Sequence, residues 1–384
     1  MRRLFPIAFV YLTVGLSTAM SAPFLTLFLT QAVRASAVQV AVYLVAAPAA
    51  AVIVSTVIAR WSDRLPSRRW LLAGTALAGV AGAAVTALVR DYRVLLLAAV
   101  TVTAAATATL PQVFAYAREA LNGSGRVAVT MGSLRALFAI AWVAGPTLAA
   151  VLLGIGGFTL VYAGASVMYA ATAVVALAGL RAPRARPDGA DGGPAGGTDA
   201  PRTVLVRTLA AFVLGRCSMV LVIQGLPLFV LNEAGGSVRD AGLLLGLCAG
   251  LEIPVLLGFG ALAGRVSLRA LLIAGTAGGL AYAALVAVSS GLWPLVLGQV
   301  FNAVAIASVN GIGILYVQDM LPRHPGRAST FVSNTFPAGG IIAGPILGAA
   351  QHAGYRTPYV AAVVLSAAAV GLLAAGRRGS AGPA

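Results

Sequence analysis

The chain has 384 residues, 60% of them hydrophobic and only 9% charged, with a mean hydropathy of +0.94. Soluble domains carry about 25% charged residues, so a water-soluble globular protein is excluded and a membrane protein is the class that fits. The formal net charge of +16 comes from arginine alone, since the chain has no lysine. These arginines fall in short segments between apolar runs rather than on one basic domain, which excludes a nucleic-acid partner.

A hydrocarbon layer of about 30 Å is crossed by about 20 apolar residues. Windows of that size are expected as helices at 4–30, 37–59, 70–89, 94–117, 127–153 and 157–180, then at 204–231, 240–263, 268–288, 292–317, 328–350 and 356–376. The first begins like a signal peptide, with Arg2-Arg3 and later Ala19-Met20-Ser21-Ala22. Its apolar run continues past Pro23 to Leu29, so it reads as a retained helix. Residues 181–203 are rich in Pro, Gly and Asp without apolar periodicity, as a flexible linker would be. The expected organisation is an N-terminal six-helix bundle over 1–180, a cytoplasmic linker over 181–203 and a C-terminal six-helix bundle over 204–384.

With the N-terminus inside, nineteen arginines lie in cytoplasmic segments and five in outer loops, namely Arg34, Arg90, Arg93, Arg239 and Arg356. That asymmetry places both termini in the cytoplasm and identifies the basic charge as topological information. The halves repeat at an offset near 200. Tyr116-x-Arg118-Glu119 and Gly125-Arg126 correspond to Tyr316-x-Gln318-Asp319 and Gly326-Arg327; Gly145-Pro146 corresponds to Gly344-Pro345, and Pro23 to Pro227. Paired helix breaks in two repeated halves mark the helices that line a transport pathway.

Cys217 and Cys248 sit inside apolar runs and His324 and His352 in separate loops, so no disulfide, metal site or cofactor is expected. Gly154-Ile155-Gly156 and Gly311-Ile312-Gly313 follow no strand and carry no nucleotide-binding signal. A nucleophile with its base, or a pair of buried carboxylates, is also missing from the apolar runs, and an enzyme is not expected.

An ionisable group at mid-membrane costs roughly 2.5–3.5 kcal/mol and is a functional candidate by default. Three qualify for proton coupling: Glu252, Arg135 and Arg216. Neutral polar residues supply a second set. Gln299, Asn302, Ile306, Asn310 and Gly313 fall within about 80° of arc at 100° per residue, and Thr13, Ser17, Ser21, Phe24 and Phe28 form a comparable stripe on the first helix. Gln112, Trp142, Gln224 and Asn334 add amides and a ring. The expected substrate-binding residues are Ser17, Ser21, Phe24, Gln112, Trp142, Gln224, Gln299, Asn302, Asn310 and Asn334. Amides and hydroxyls pair with ligand hydroxyls, and aromatic faces cover the C–H face of a sugar ring; the same amides also serve helix–helix hydrogen bonding. Gly242, Gly246 and Gly250 make a small-residue face for close helix contact.

The loop Arg60-Trp61-Ser62-Asp63-Arg64-Leu65-Pro66-Ser67-Arg68-Arg69 resembles the cytoplasmic gating loop of the major facilitator superfamily, with Asp63, Arg64 and Arg68 in the gating roles; Pro66-Ser67 replaces its usual glycine. Pro111-Gln112-Val113-Phe114-Ala115-Tyr116, Ala141-Trp142-Val143-Ala144-Gly145-Pro146, Ala249-Gly250-Leu251-Glu252-Ile253-Pro254 and Gln299-Val300-Phe301-Asn302-Ala303 resemble the sugar efflux transporter family within that superfamily. Gly340-x-x-x-Gly344-Pro345-x-x-Gly348 resembles a glycine-proline signature of antiporters.

The resemblance implies an all-α membrane protein of the major facilitator fold, with twelve transmembrane helices in two pseudo-repeats, residing in the bacterial inner membrane. It implies a monomer that exports neutral sugars or glycosides in exchange for protons by alternating access; export of drugs or another small metabolite is the alternative. In that superfold helices 5 and 8 are neighbours. Counting about 1.5 Å per residue from their cytoplasmic ends brings Arg135 and Glu252 within about 6 Å in depth, which predicts a pair across the halves. Separating such a pair would release or capture a proton.

Overall fold

The computed structural model describes residues 5–62, 68–121, 127–180 and 199–375. Among them the secondary structure is helical, and no strand occurs. In lipid each backbone N–H and C=O must find its partner within the segment, which a helix achieves and an isolated extended chain does not.

The described residues form twelve rods in order: α1 (Phe5–Ala32), α2 (Ala37–Ser62), α3 (Arg68–Leu88), α4 (92–121), α5 (127–156), α6 (157–179), α7 (Arg202–Asn232), α8 (Val238–Leu262), α9 (Leu268–Val288), α10 (Leu292–Met320), α11 (Pro325–Ala353) and α12 (Thr357–Ala374). α5 and α6 are continuous in hydrogen bonding, but Gly156 and Gly157 leave helical geometry, with Gly157 at φ +62°, a region that disfavours any side chain. Among the described residues ten spans are long and apolar enough to cross a membrane, one of them the joined α5–α6 segment. The chain is a multi-span membrane protein. α11 is the most polar rod, carrying Ser329, Thr330, Ser333, Asn334 and Thr335 along one stretch.

Side-chain caps set several starts. Asp91 accepts from the backbone N–H groups of Arg93 and Val94 before α4, and Ser237 with Asp240 forms a reciprocal box before α8. Three of the rods are irregular. α1 passes through a 3₁₀ turn at Ala22–Phe24 around Pro23, and wide π turns occur at Phe28–Ala32 in α1, Ala99–Thr103 in α4 and Ser308–Ile312 in α10.

Each half is closed on itself by an equivalent hydroxyl pair. Thr13 on α1 meets Thr172 on α6 at 2.8 Å, and Ser218 on α7 meets Ser366 on α12 at 2.8 Å. At the end bearing the termini the halves have separate cores: Ile7, Tyr11, Leu72, Val113 and Leu180 in one, Phe212, Leu272, Val317 and Leu373 in the other. At the opposite end one core draws on both, joining Phe28, Val40 and Leu44 to Leu221, Leu226, Phe229 and Leu347. The molecule is therefore sealed at the end away from its termini, and among the described residues the halves share no core at the end that bears them.

Glycines make the seal. A Cβ on Gly242 of α8 would lie 2.5 Å from Ala150 Cβ and 2.6 Å from the Pro146 carbonyl of α5. One on Gly344 of α11 would meet Leu44 of α2 at 3.0 Å, and Gly348 abuts the carbonyl of Ala37 and the side chain of Ala41. Farther along α8, Gly250 has nothing within 4 Å among the described residues. The expected 181–203 linker lies mostly outside the described residues. At its end, Ala200 donates its N–H to Met320 O at 2.8 Å.

Candidate functional site

Where the halves part, three helices of the C-terminal half bring a cation, an amide and an acid into line. Arg216 on α7 is buried, 8% exposed. Its Nη1 donates to Asn310 Oδ1 at 2.9 Å, and the same amide donates from Nδ2 to Glu252 Oε1 at 3.2 Å. One asparagine thus bridges α7 and α8 from α10. Arg216 also contacts Met219 Sδ at 3.4 Å and stands 5.7 Å over the ring of Phe336. The close approach of α11 helps to fix it: at Gly339 a Cβ would fall 2.6 Å from Cys217 N and 2.8 Å from Arg216 Cβ. The π turn Ser308–Ile312 carries Asn310, and an extra residue in a helical turn re-aims the side chains after it. Asn310 is exposed and Glu252 half-buried, so the amide and the acid border the opening while the guanidinium sits behind them. A charged group at this depth is costly; charge-assisted hydrogen bonds to the amide and the attraction of Glu252 offset that cost.

The remaining expected residues divide into several places. The α10 stripe does not stay on one surface. Gln299 and Asn302 are buried inside the C-terminal half, where Gln299 Nε2 donates to the Tyr282 hydroxyl at 2.9 Å and Asn302 Nδ2 donates to Gln299 Oε1 at 3.1 Å. Ser17 is buried against α6 and reaches Ala165 O at 3.4 Å; Ser21 bonds back to Ser17 O at 2.9 Å, and Phe24 is enclosed by the core at the sealed end. Gln224 accepts from Thr26 Oγ1 at 3.1 Å, a bond between the two halves. Gln112 is buried; Trp142 is half-buried with its ring 6.5 Å from Phe138; Asn334 is exposed on α11. Asp63 and Arg64 lie outside the described residues, as do the side chains of Arg68 and Arg135, so the expected Arg135–Glu252 pair lies outside them too. What the structure places on Glu252 is Asn310, and through it Arg216.

Three participants were not expected. Phe336 covers Arg216 and is 48% exposed, signalled only by being an aromatic residue on the most polar helix. Thr26 and Tyr282 gave no signal in sequence, because their roles depend on partners 198 and 17 residues away.

Two irregular helical halves sealed at one end, with a charged amide-bridged group between their helices, make a multi-span membrane protein of the kind that transports solutes. Residues 7–292 match the family model described as Major Facilitator Superfamily. Sugar efflux transporter B of Salmonella typhimurium (strain LT2) is 34% identical over 94% of this chain and 92% of its own length; sugar efflux transporter A of Escherichia coli (strain K12) is 32% identical over the same shares. Among solved structures, the nucleoside transporter NupG superposes with a TM-score of 0.78 at 14% identity, covering 98% of both chains. A bacterial homolog of the human lysosomal transporter Spinster gives 0.74 at 15%, covering 97% and 95%. The chain belongs to the sugar efflux transporter family of the Major Facilitator Superfamily, and it is not an enzyme.

Proposed function

We propose that this protein exports neutral sugars or glycosides from the cytoplasm in exchange for protons, by alternating access between its two halves. The observation that carries the reading is the Asn310 bridge between Arg216 and Glu252. A sugar hydroxyl entering the opening can donate to the Glu252 carboxylate while a neighbouring hydroxyl accepts from the Asn310 amide. Protonation of Glu252 removes a charged acceptor and so weakens that binding; bound sugar in turn opposes protonation. By linkage the two effects are equal in size, and mutual displacement is what exchange of one ligand for the other requires.

Asn310 and Asn334 are exposed, and Trp142 and Phe336 supply ring faces, so these are the residues assigned to the sugar. Ser17 and Phe24 are assigned to packing. The positive-inside pattern of the arginines supports a cytoplasmic location for both termini, in the inner membrane of a bacterium, so that the opening faces the cytoplasm. The names of the two relatives, both sugar efflux transporters, support the substrate class.

The test is counterflow of labelled mono- and disaccharides in proteoliposomes, with and without an imposed pH gradient. Acceleration by the gradient in the wild type, lost in Glu252→Gln while counterflow without the gradient continues, is the expected result. A Glu252→Gln protein that still responds fully to the gradient rules out the coupling role.

A further inference from the structure

Behind Arg216, within the C-terminal half, is a cavity of about 40 Å³. The described residues that line it all belong to the C-terminal half. Its apolar wall includes Val222, Ile306 and Val309, and its polar wall comprises Arg216, Ser218, Thr276, Tyr282, Asn302 and Ser366.

Two facts make this more than a packing fault. Arg216 has a buried Nε–H with no partner among the described residues, although its Nη1 is well bonded. Leaving a charged donor unsatisfied in a membrane interior costs more than an ordinary hydrogen bond returns. The wall also offers complementary groups. Asn302 uses its NH2 on Gln299 and keeps its carbonyl oxygen; the Tyr282 oxygen accepts from Gln299 and keeps its proton. A cation is disfavoured beside the guanidinium, and an anion beside the Asn302 carbonyl. Water, which accepts from Nε–H and donates to a carbonyl, suits both. A water needs space for about one probe sphere and two to four polar partners, and the cavity offers both.

We propose that this cavity is an internal water site that completes the hydrogen bonding of Arg216 and couples it to the Tyr282–Gln299–Asn302 chain. Asn302 and Gln299 are then positioning residues for the guanidinium and do not touch the sugar. In its functional consequence this rests on the transport reading above. The water site itself does not.

Radiolytic hydroxyl labelling read by mass spectrometry tests the site without any substrate. Tyr282 and Tyr359 are both fully buried, but only Tyr282 lines the cavity. Tyr282 should label at least fivefold faster than Tyr359. Gly215 lies on the cavity-facing edge of α7 with Ser218, Met219 and Val222, and a Cβ there meets nothing within 4 Å. Gly215→Ala should therefore fold normally and cut Tyr282 labelling at least threefold by taking up the space. Equal labelling of the two tyrosines in the wild type, or no change in Gly215→Ala, overturns the water site. For the positioning role, Asn302→Ala in the counterflow assay should lower kcat at least fivefold with KM for sugar within twofold. A tenfold rise in KM at unchanged kcat would put Asn302 on the sugar and overturn that role. If the wild type moves no sugar, the transport reading fails while the labelling result still decides the cavity.

Discussion

Replacing Gly242 by alanine should open the sealed end. The added Cβ would lie 2.5 Å from Ala150 Cβ and 2.6 Å from Pro146 O, where carbon contacts normally rest at about 3.5–4.0 Å. The carbonyl belongs to backbone and cannot rotate away, so α5 and α8 must separate by about 1 Å. Overpacking of this kind costs about 1–3 kcal/mol, and the penalty falls only on the state in which these helices touch at this level. The population of that state should fall about 5–150-fold relative to the opposite one. Gly250→Ala, two turns on along the same helix, meets nothing within 4 Å and is the matched control. The assay is the distance distribution between spin labels at Ser36 and Ala353, exposed positions of the two halves at the sealed end, with Cys217 and Cys248 replaced. A shift to longer distance in Gly242→Ala but not in Gly250→Ala is expected; identical distributions in a folded Gly242→Ala protein would show that this contact does not hold the end closed.

Loss of Gln224 as an acceptor leaves buried Thr26 without its partner in the other half, at a cost of about 1–3 kcal/mol. Gln224→Leu should lengthen the same spin-label distance, and an unchanged distance counts against a role for this bond in closure. Arg356 donates to Glu233 at 2.9 Å and to Ala287 O at 2.8 Å, and lies 5.6 Å over the Phe229 ring; Arg356→Leu should lower the melting temperature in detergent, consistent with a loss of about 1–3 kcal/mol. Arg93, which has no shared contact with that cluster, serves as the comparison: Arg93→Leu should leave the melting temperature within a degree or two. Gly354 ends α11 at φ +91°, so Gly354→Ala should destabilise by about 1–2 kcal/mol, whereas Gly371→Ala, at helical geometry in α12, should be neutral or stabilising; equal melting temperatures would refute the backbone argument.

Hydrophobicity belongs to residues one at a time and sums along a window, and in lipid a long apolar window has essentially one conformation. That is why the order of the rods, the break between α5 and α6 near residue 155, and the repeat of Gly145-Pro146 at Gly344-Pro345 could be read directly from the chain. The rarity of charge inside those windows likewise pointed to Arg216 and Glu252 individually. Direction around a helix is different, because it accumulates. A constant 100° per residue put Gln299, Asn302 and Asn310 on one stripe, but helix packing sends the first two to Tyr282, while the π turn at Ser308–Ile312 carries Asn310 to the opening. Partner choice is further still from the local sequence. Asn310 bridges residues 94 and 58 positions away, and Arg90 and Arg356 end over Phe28 and Phe229, one ring in each half. Such meetings depend on how twelve rods lie against one another, and the separations involved are set by the packing of every intervening helix. The cavity behind Arg216 has the same origin: it is space left between four helices, and no residue along the chain encodes it alone.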